Sequence, residues 1–96
     1  MNVSFTWDPR KSEWNRKHRG FDFLMAVRVF DDPNVRFDED RIHDGEERLH
    51  AIGALEDIGI VVVAFTVEED EQEERYRIIS ARLAEPREKR RYYADD

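Results

Sequence analysis

Apolar and polar positions alternate with two different periods along this chain, and the change of period divides it. Val3, Phe5 and Trp7 alternate with Ser4 and Thr6, the two-residue period of a short strand with one buried face. Asp8-Pro9 then opens a helix: the aspartate caps free N–H groups, and proline fits a first turn where its missing donor costs nothing. This helix is expected to run to Lys17 or His18, with Gly20 marking its end. Trp14 is its chief apolar residue, so the helix should lie on the surface with that one anchor. Phe23, Ala26, Val27 and Phe30 recur at spacings of three and four, the apolar face of a second helix. Asp22 can cap it and Asp31-Asp32-Pro33 stops it.

From Val35 the period changes to two. Val35 and Phe37 alternate with polar neighbours, and Leu49, Ala51 and Ile52 continue the pattern up to Gly53. Ile58 to Val67 is a nearly continuous β-branched run, the best candidate for a central strand. Residues 68–74 are all acidic or Gln and read as a hairpin loop with frayed strand ends. Tyr76, Ile78 and Ser80 against Arg77, Ile79 and Ala81 form the last strand. Pro86 suits the first turn of a C-terminal helix whose basic residues near its end favour the macrodipole. The predicted order is β-α-α-β-β-β-α. It describes an α+β fold with an antiparallel sheet of about four strands, two N-terminal helices and a C-terminal helix. Residues 1–96 are expected to form one domain, the usual outcome near this length.

Charge changes the picture at the C-terminal end. The formal net charge is −7, yet Arg75, Arg77, Arg82, Arg87, Lys89, Arg90 and Arg91 cluster in one segment, a candidate polyanion site in an acidic chain. Overall acidity argues against a protein that coats nucleic acid and leaves room for a local basic cleft or a basic protein partner. With no cysteine, disulfides and thiolate metal sites are excluded. The longest apolar run is too short to span a bilayer and the N-terminus lacks a signal pattern, so a cytoplasmic location is the default.

Several familiar arrangements are missing. Four scattered glycines build no phosphate loop, and none of Ser4, Ser12 and Ser80 sits in a nucleophile elbow. The acidic segment from Asp38 to Arg48 holds His43 and Glu47. It reads as a divalent-metal site, as an acid or base beside Arg48, or as a polar strand entry. No metal-ligand spacing appears in it, so no metal is expected. Lys11, Lys17, His18 and Arg19 make a second positive patch around the first helix, where His18 also reads as a cap for terminal carbonyls. Arg77 and Arg82 have opposite parity, so a regular strand would send them to opposite faces unless it bulges or ends near Arg82.

Taken in order, these residues resemble the BrnT family, the toxin half of a bacterial type II toxin–antitoxin pair. The resemblance rests on Phe5 to Lys11 with Asn15 and Lys17-His18, then Phe23, Ala26 and Val29 to Pro33. It continues through Gly45 to Arg48 with Ile52-Gly53, and Arg77 to Arg82 with Ala84, Arg87-Glu88 and Tyr92. The chain departs from the pattern by one extra residue before Gly20 and by a longer acidic loop at 68–74. The resemblance implies a RelE-like fold, endoribonuclease cleavage that inhibits translation, and neutralisation by a BrnA-like antitoxin. It further implies a hetero-oligomer, commonly a heterotetramer, that reaches promoter DNA through the antitoxin. Combined with the residues, it makes Arg48 and Arg82 the stabilisers of phosphorane charge and Glu47 or His43 the proton acceptor. Lys11, Arg77, Lys17, His18 and Tyr92 become the RNA contacts, with no metal or other cofactor. The alternative is a non-catalytic module that only binds its antitoxin.

Overall fold

The structure is a computed structural model that describes the backbone of residues 2–43 and 46–94 and the side chains of residues 3–38 and 47–94. The strands are β1 (Asn2–Thr6), β2 (Arg36–His43), β3 (Glu46–Leu55), β4 (Gly59–Glu69) and β5 (Glu73–Leu83). The helices are α1 (Pro9–Arg19), α2 (Phe23–Ala26) and α3 (Pro86–Tyr93), and a 3₁₀ turn spans Val27–Asp31. The sheet order is β1-β5-β4-β3-β2, with the β-branched run of β4 at its centre as the sequence implies.

Two expectations about the sheet are corrected. The sheet has five strands, because the period-two stretch from Val35 to Gly53 folds as the β2–β3 pair. It is also mixed, because β1 lies parallel to β5, from Asn2 beside Glu73 to Thr6 beside Arg77. A strand followed by two helical segments and three further strands has the chain length to return to that edge in parallel. The acidic stretch is mostly ladder rather than loop. β4 runs to Glu69 and β5 starts at Glu73, while Asp70 closes the turn by accepting hydrogen bonds from the Gln72 and Glu73 N–H groups.

The second helix is shorter than its periodicity suggests. Asp22 caps it as expected, but after Ala26 the chain tightens into the 3₁₀ turn, which ends with Asp32 extended before Pro33. This turn seats the fully buried Val29 against Gly53, where an added Cβ would fall 2.9 Å from the Val29 Cβ. Gly53 is therefore a close-approach residue inside β3, not the end of a strand.

Helix α1 begins and ends where Asp8, Pro9 and Gly20 place it, with Gly20 at φ 89°. Its anchor is not Trp14, which is 48% exposed. Ser12 and Asn15 are buried instead. The Ser12 hydroxyl accepts from the Phe23 N–H at 3.0 Å, and Asn15 Nδ2 donates to the Phe21 carbonyl at 2.8 Å. Those bonds satisfy the backbone that follows the helix, so polar residues hold α1 to the fold.

The sheet has two unlike faces. On one, Phe21, Phe23, Ala26 and Val29 cover Ala51, Val61, Val63, Ile78 and Ala81. On the other, α3 lays Tyr92 over Ile52, Ile60, Val62 and Ala84 and leaves the rest of that face open. Among the described residues, no helix is long and apolar enough to cross a membrane.

Candidate functional site

The open part of the α3 face is built by one irregularity. Along β4 and β5, Ala64 pairs with Ser80 but Phe65 pairs with Ile78, so Ile79 is an extra residue in β5. A bulge of this kind inverts the alternation of side chains on either side of it. Arg77 opposes Thr66 and Arg82 opposes Val62, two β4 positions of equal parity, so both arginines project from the same face. The opposite parity of Arg77 and Arg82 in sequence is cancelled by Ile79.

The neighbouring strand supplies the rest. His50 pairs with Ala64 in β4 and with Asp38 in β2, which sets it in one row with Ser80. Arg48 lies one step beyond the Leu49–Phe65 pair, beside Thr66, on the same face as His50. Small residues, Ala64, Thr66 and Ser80, thus floor a shallow surface with Arg48 and His50 on one side and Arg77 and Arg82 on the other. Strands stand about 4.8 Å apart and advance about 3.3 Å per residue, which separates the His50 and Arg82 Cα atoms by about 12 Å. Side chains leaning inward from that distance can meet on one phosphate.

Two features set the electrostatics. Arg82 is gripped by α3: its Nη1 and Nη2 donate to the two Glu88 carboxylate oxygens at 2.7 and 2.8 Å. That fork is the main reason the Glu88 pKa falls from 4.5 to about 2, with the Glu85 N–H and the nearby His50 adding to the effect. Glu88 therefore stays ionised across the ordinary pH range and cannot act as a proton acceptor. The Arg48 Nε is buried and finds no hydrogen-bond partner among the described residues. A buried donor without a partner costs on the order of 1–3 kcal/mol, which an acceptor on a ligand would recover.

The remaining sequence-predicted residues divide. Lys11 lines a hollow of about 190 Å³ with Trp14, Arg19, Ile79 and Ser80, where α1 crosses the β5 edge beyond the reach of β1. It therefore borders the same floor through Ser80. Lys17 and His18 sit exposed in the last turn of α1. His18 does the capping work its position suggests, its Nδ1 lying 2.9 Å from the Trp14 carbonyl while the ring stacks on the Trp14 indole.

Glu47 is adjacent to Arg48 in a regular strand, so it projects to the opposite face and lines a groove with Phe65 and Tyr76. Glu47, expected as a proton acceptor beside Arg48 and Arg82, thus lies on the other face of the sheet from both. Tyr92 is a packing residue. It is 9% exposed, and its hydroxyl donates to Asp32 Oδ2 at 2.5 Å. Burial first, and then that bond to a carboxylate, push its pKa up to about 12. His43 ends β2, and its side chain lies outside the described residues, as do Asp44 and Gly45 and most of the acidic segment read as a metal site. Among the described residues, no cluster of three His, Asp or Glu side chains could hold a metal ion.

His50 is the residue that the sequence reading missed. Its signal was parity: with Leu49 and Ala51 facing the core, Arg48 and His50 must share the other face. Residues 7–88 match the family described as the ribonuclease toxin, BrnT, of type II toxin-antitoxin systems. No curated protein matches the chain.

Proposed function

Because the chain belongs to the BrnT family of type II toxin–antitoxin ribonuclease toxins, we propose that it is a metal-independent endoribonuclease working on its open sheet face. The observation that carries this reading is the convergence of Arg48, His50, Arg77 and Arg82, made possible by the bulge at Ile79. Three guanidinium groups around a floor of small side chains suit a phosphodiester, because each fork matches phosphate oxygens.

In such a reaction the substrate 2′-OH loses its proton and attacks the adjacent phosphorus, the P–O5′ bond breaks as the leaving 5′-oxygen takes up a proton from solvent, and a 2′,3′-cyclic phosphate remains. His50 is the described imidazole on this face and is the candidate acceptor of the 2′-OH proton. Arg48 and Arg82 stabilise the charge that builds on the phosphorane oxygens. Glu88 holds the Arg82 fork in place, Nη1 also donating to the Leu83 carbonyl, and leaves Nε and the second Nη2 N–H for phosphate, which makes Glu88 a positioning residue. Arg77 and Lys11 hold the RNA on either side of the cleaved bond. His43 stays a second candidate acceptor at the end of β2. The protein partner is a BrnA-like antitoxin, in a hetero-oligomer in the cytoplasm.

One observation favours the binding-only alternative: Arg82 already has a carboxylate partner. A cleavage assay separates the two. The purified chain should convert an RNA oligonucleotide to products ending in 2′,3′-cyclic phosphate, and His50→Asn should slow this at least 100-fold. Uncut RNA under all conditions, with antitoxin still bound, would establish the binding module instead.

A further inference from the structure

The face opposite the arginines is only partly covered. Helices α1 and α2 and the 3₁₀ turn close one end of it. At the other end a groove of about 420 Å³ remains over Phe65 and Tyr76, flanked by Phe37 and rimmed by Glu47, Glu69 and Glu74. The floor is aromatic: Phe65 and Tyr76 stack at 5.1 Å, and Phe37, 50% exposed, meets Phe65 edge-on at 6.3 Å. Phe65 itself is buried, with Phe30 packed against it, so the half-exposed Phe37 at the flank is the aromatic surface that favours contact with another apolar group.

The rim is electrostatically unsatisfied. Glu69 and Glu74 are direct cross-strand partners, and like charges opposed in this way destabilise a sheet. Both also bear on the Tyr76 hydroxyl, whose pKa is raised first by burial and then by these two carboxylates. Among the described residues, none of Glu47, Glu69 and Glu74 has an ion-pair partner. Arg75, the nearest arginine in sequence, pairs with Glu68 and Glu73 on the other face. The fold therefore tolerates an apolar slot with a concentrated negative rim, an arrangement that a cationic, amphipathic partner relieves. RNA is disfavoured there by its phosphates. A second copy of the chain would bring the same carboxylates to a two-fold contact.

We propose that this groove anchors the antitoxin, through a basic segment that inserts one large apolar side chain between Phe37 and Tyr76 and sets Lys or Arg against Glu69 and Glu74. The proposal rests on the toxin–antitoxin reading and deepens it by separating the antitoxin anchor from the RNA face. It follows that binding and cleavage can be removed independently.

The test titrates the product of the gene beside this one, by calorimetry, into the parental chain and into Glu69→Lys and Phe37→Ser variants. Glu69→Lys should bind at least 10-fold more weakly, with a shallower salt dependence. Its melting temperature should equal or exceed that of the parent, because the substitution turns the repulsion across from Glu74 into an attraction. Its RNA cleavage rate should match the parent. Phe37→Ser should also weaken binding, with circular dichroism confirming the fold. Parental affinity in Glu69→Lys overturns the proposal. So does a loss of RNA affinity in Phe37→Ser, which would make the groove an RNA site. Self-association of the parental chain abolished by Phe37→Ser overturns it in favour of a second copy. If the neighbouring product fails to bind even the parental chain, the antitoxin reading itself falls, and this proposal with it.

Discussion

Glu88→Gln isolates the charge of the α3 latch. Glutamine keeps the shape, and its side-chain oxygen can still accept from the Glu85 N–H, the 2.8 Å bond that closes the capping box of α3. What disappears is the anion in the Arg82 fork. The fall of the Glu88 pKa from 4.5 to about 2 corresponds to about 3 kcal/mol at ~1.36 kcal/mol per pKa unit. The Arg82 side chain is 34% exposed and that of Glu88 12%, so solvent screening brings the figure to about 2 kcal/mol. Because folding lowers this pKa, the stabilisation is present above the ordinary glutamate value and is lost as pH falls from about 4.5 towards about 2. Urea unfolding at pH 7 should therefore find Glu88→Gln less stable by about 2 kcal/mol, a melting shift on the order of 10 °C. The gap should fall by more than half by about pH 3. A gap that stays constant with pH, or no gap at pH 7, would refute the claim that the fork is an ionic contributor to the fold.

Other outcomes follow from the same geometry. Arg82→Ala should abolish growth inhibition and RNA cleavage while antitoxin affinity stays at the parental value; cleavage at the parental rate would remove Arg82 from the site. EDTA should leave the cleavage rate unchanged, and activity lost to EDTA and restored by Mg²⁺ would revive metal chemistry. Gly53→Ala places a Cβ 2.9 Å from that of Val29, and the resulting overpacking should cost about 1–3 kcal/mol in urea unfolding. Asn15→Ala orphans the buried Phe21 carbonyl and should cost a similar amount, without changing cleavage chemistry.

Much of the fold was legible because helix signals here are local. Asp8, Pro9 and Gly20 delimit α1, and Pro86 opens α3, since each acts through its own backbone geometry. The central place of β4 followed from its unbroken apolar run, buried on both sides by helices. What escaped was decided at a distance. The parallel return of β1 to β5 leaves no trace in the residues of β1. The anchoring of α1 by Ser12 and Asn15 also depends on backbone groups that arrive later in the chain, so hydropathy pointed to Trp14 instead. The site was half legible. Charge singled out Arg48, Arg77 and Arg82, but pairing Glu47 with Arg48 ignored strand alternation, and His50 was passed over though alternation placed it beside them.

The extra residue in β5 has a signature in the buried side chains themselves. Tyr76 and Ile78 are two apart, but Ile78 and Ala81 are three apart, and all three face the α1/α2 side. The irregular spacing that keeps the interior filled is the same one that turns Arg77 towards Arg82. Were Ile79 drawn into a regular ladder opposite Phe65 instead of bulging, everything from Glu73 to Ile78 would turn to the other face, exposing Ile78 and Tyr76 as Arg77 was withdrawn. The arginine pairing therefore depends on where the strand bulges as much as on which residues it carries. Loss of residue 79 itself would leave every other pair of this ladder in place, whereas one further residue inserted between Arg77 and Arg82 without a second bulge would send the two arginines to opposite faces.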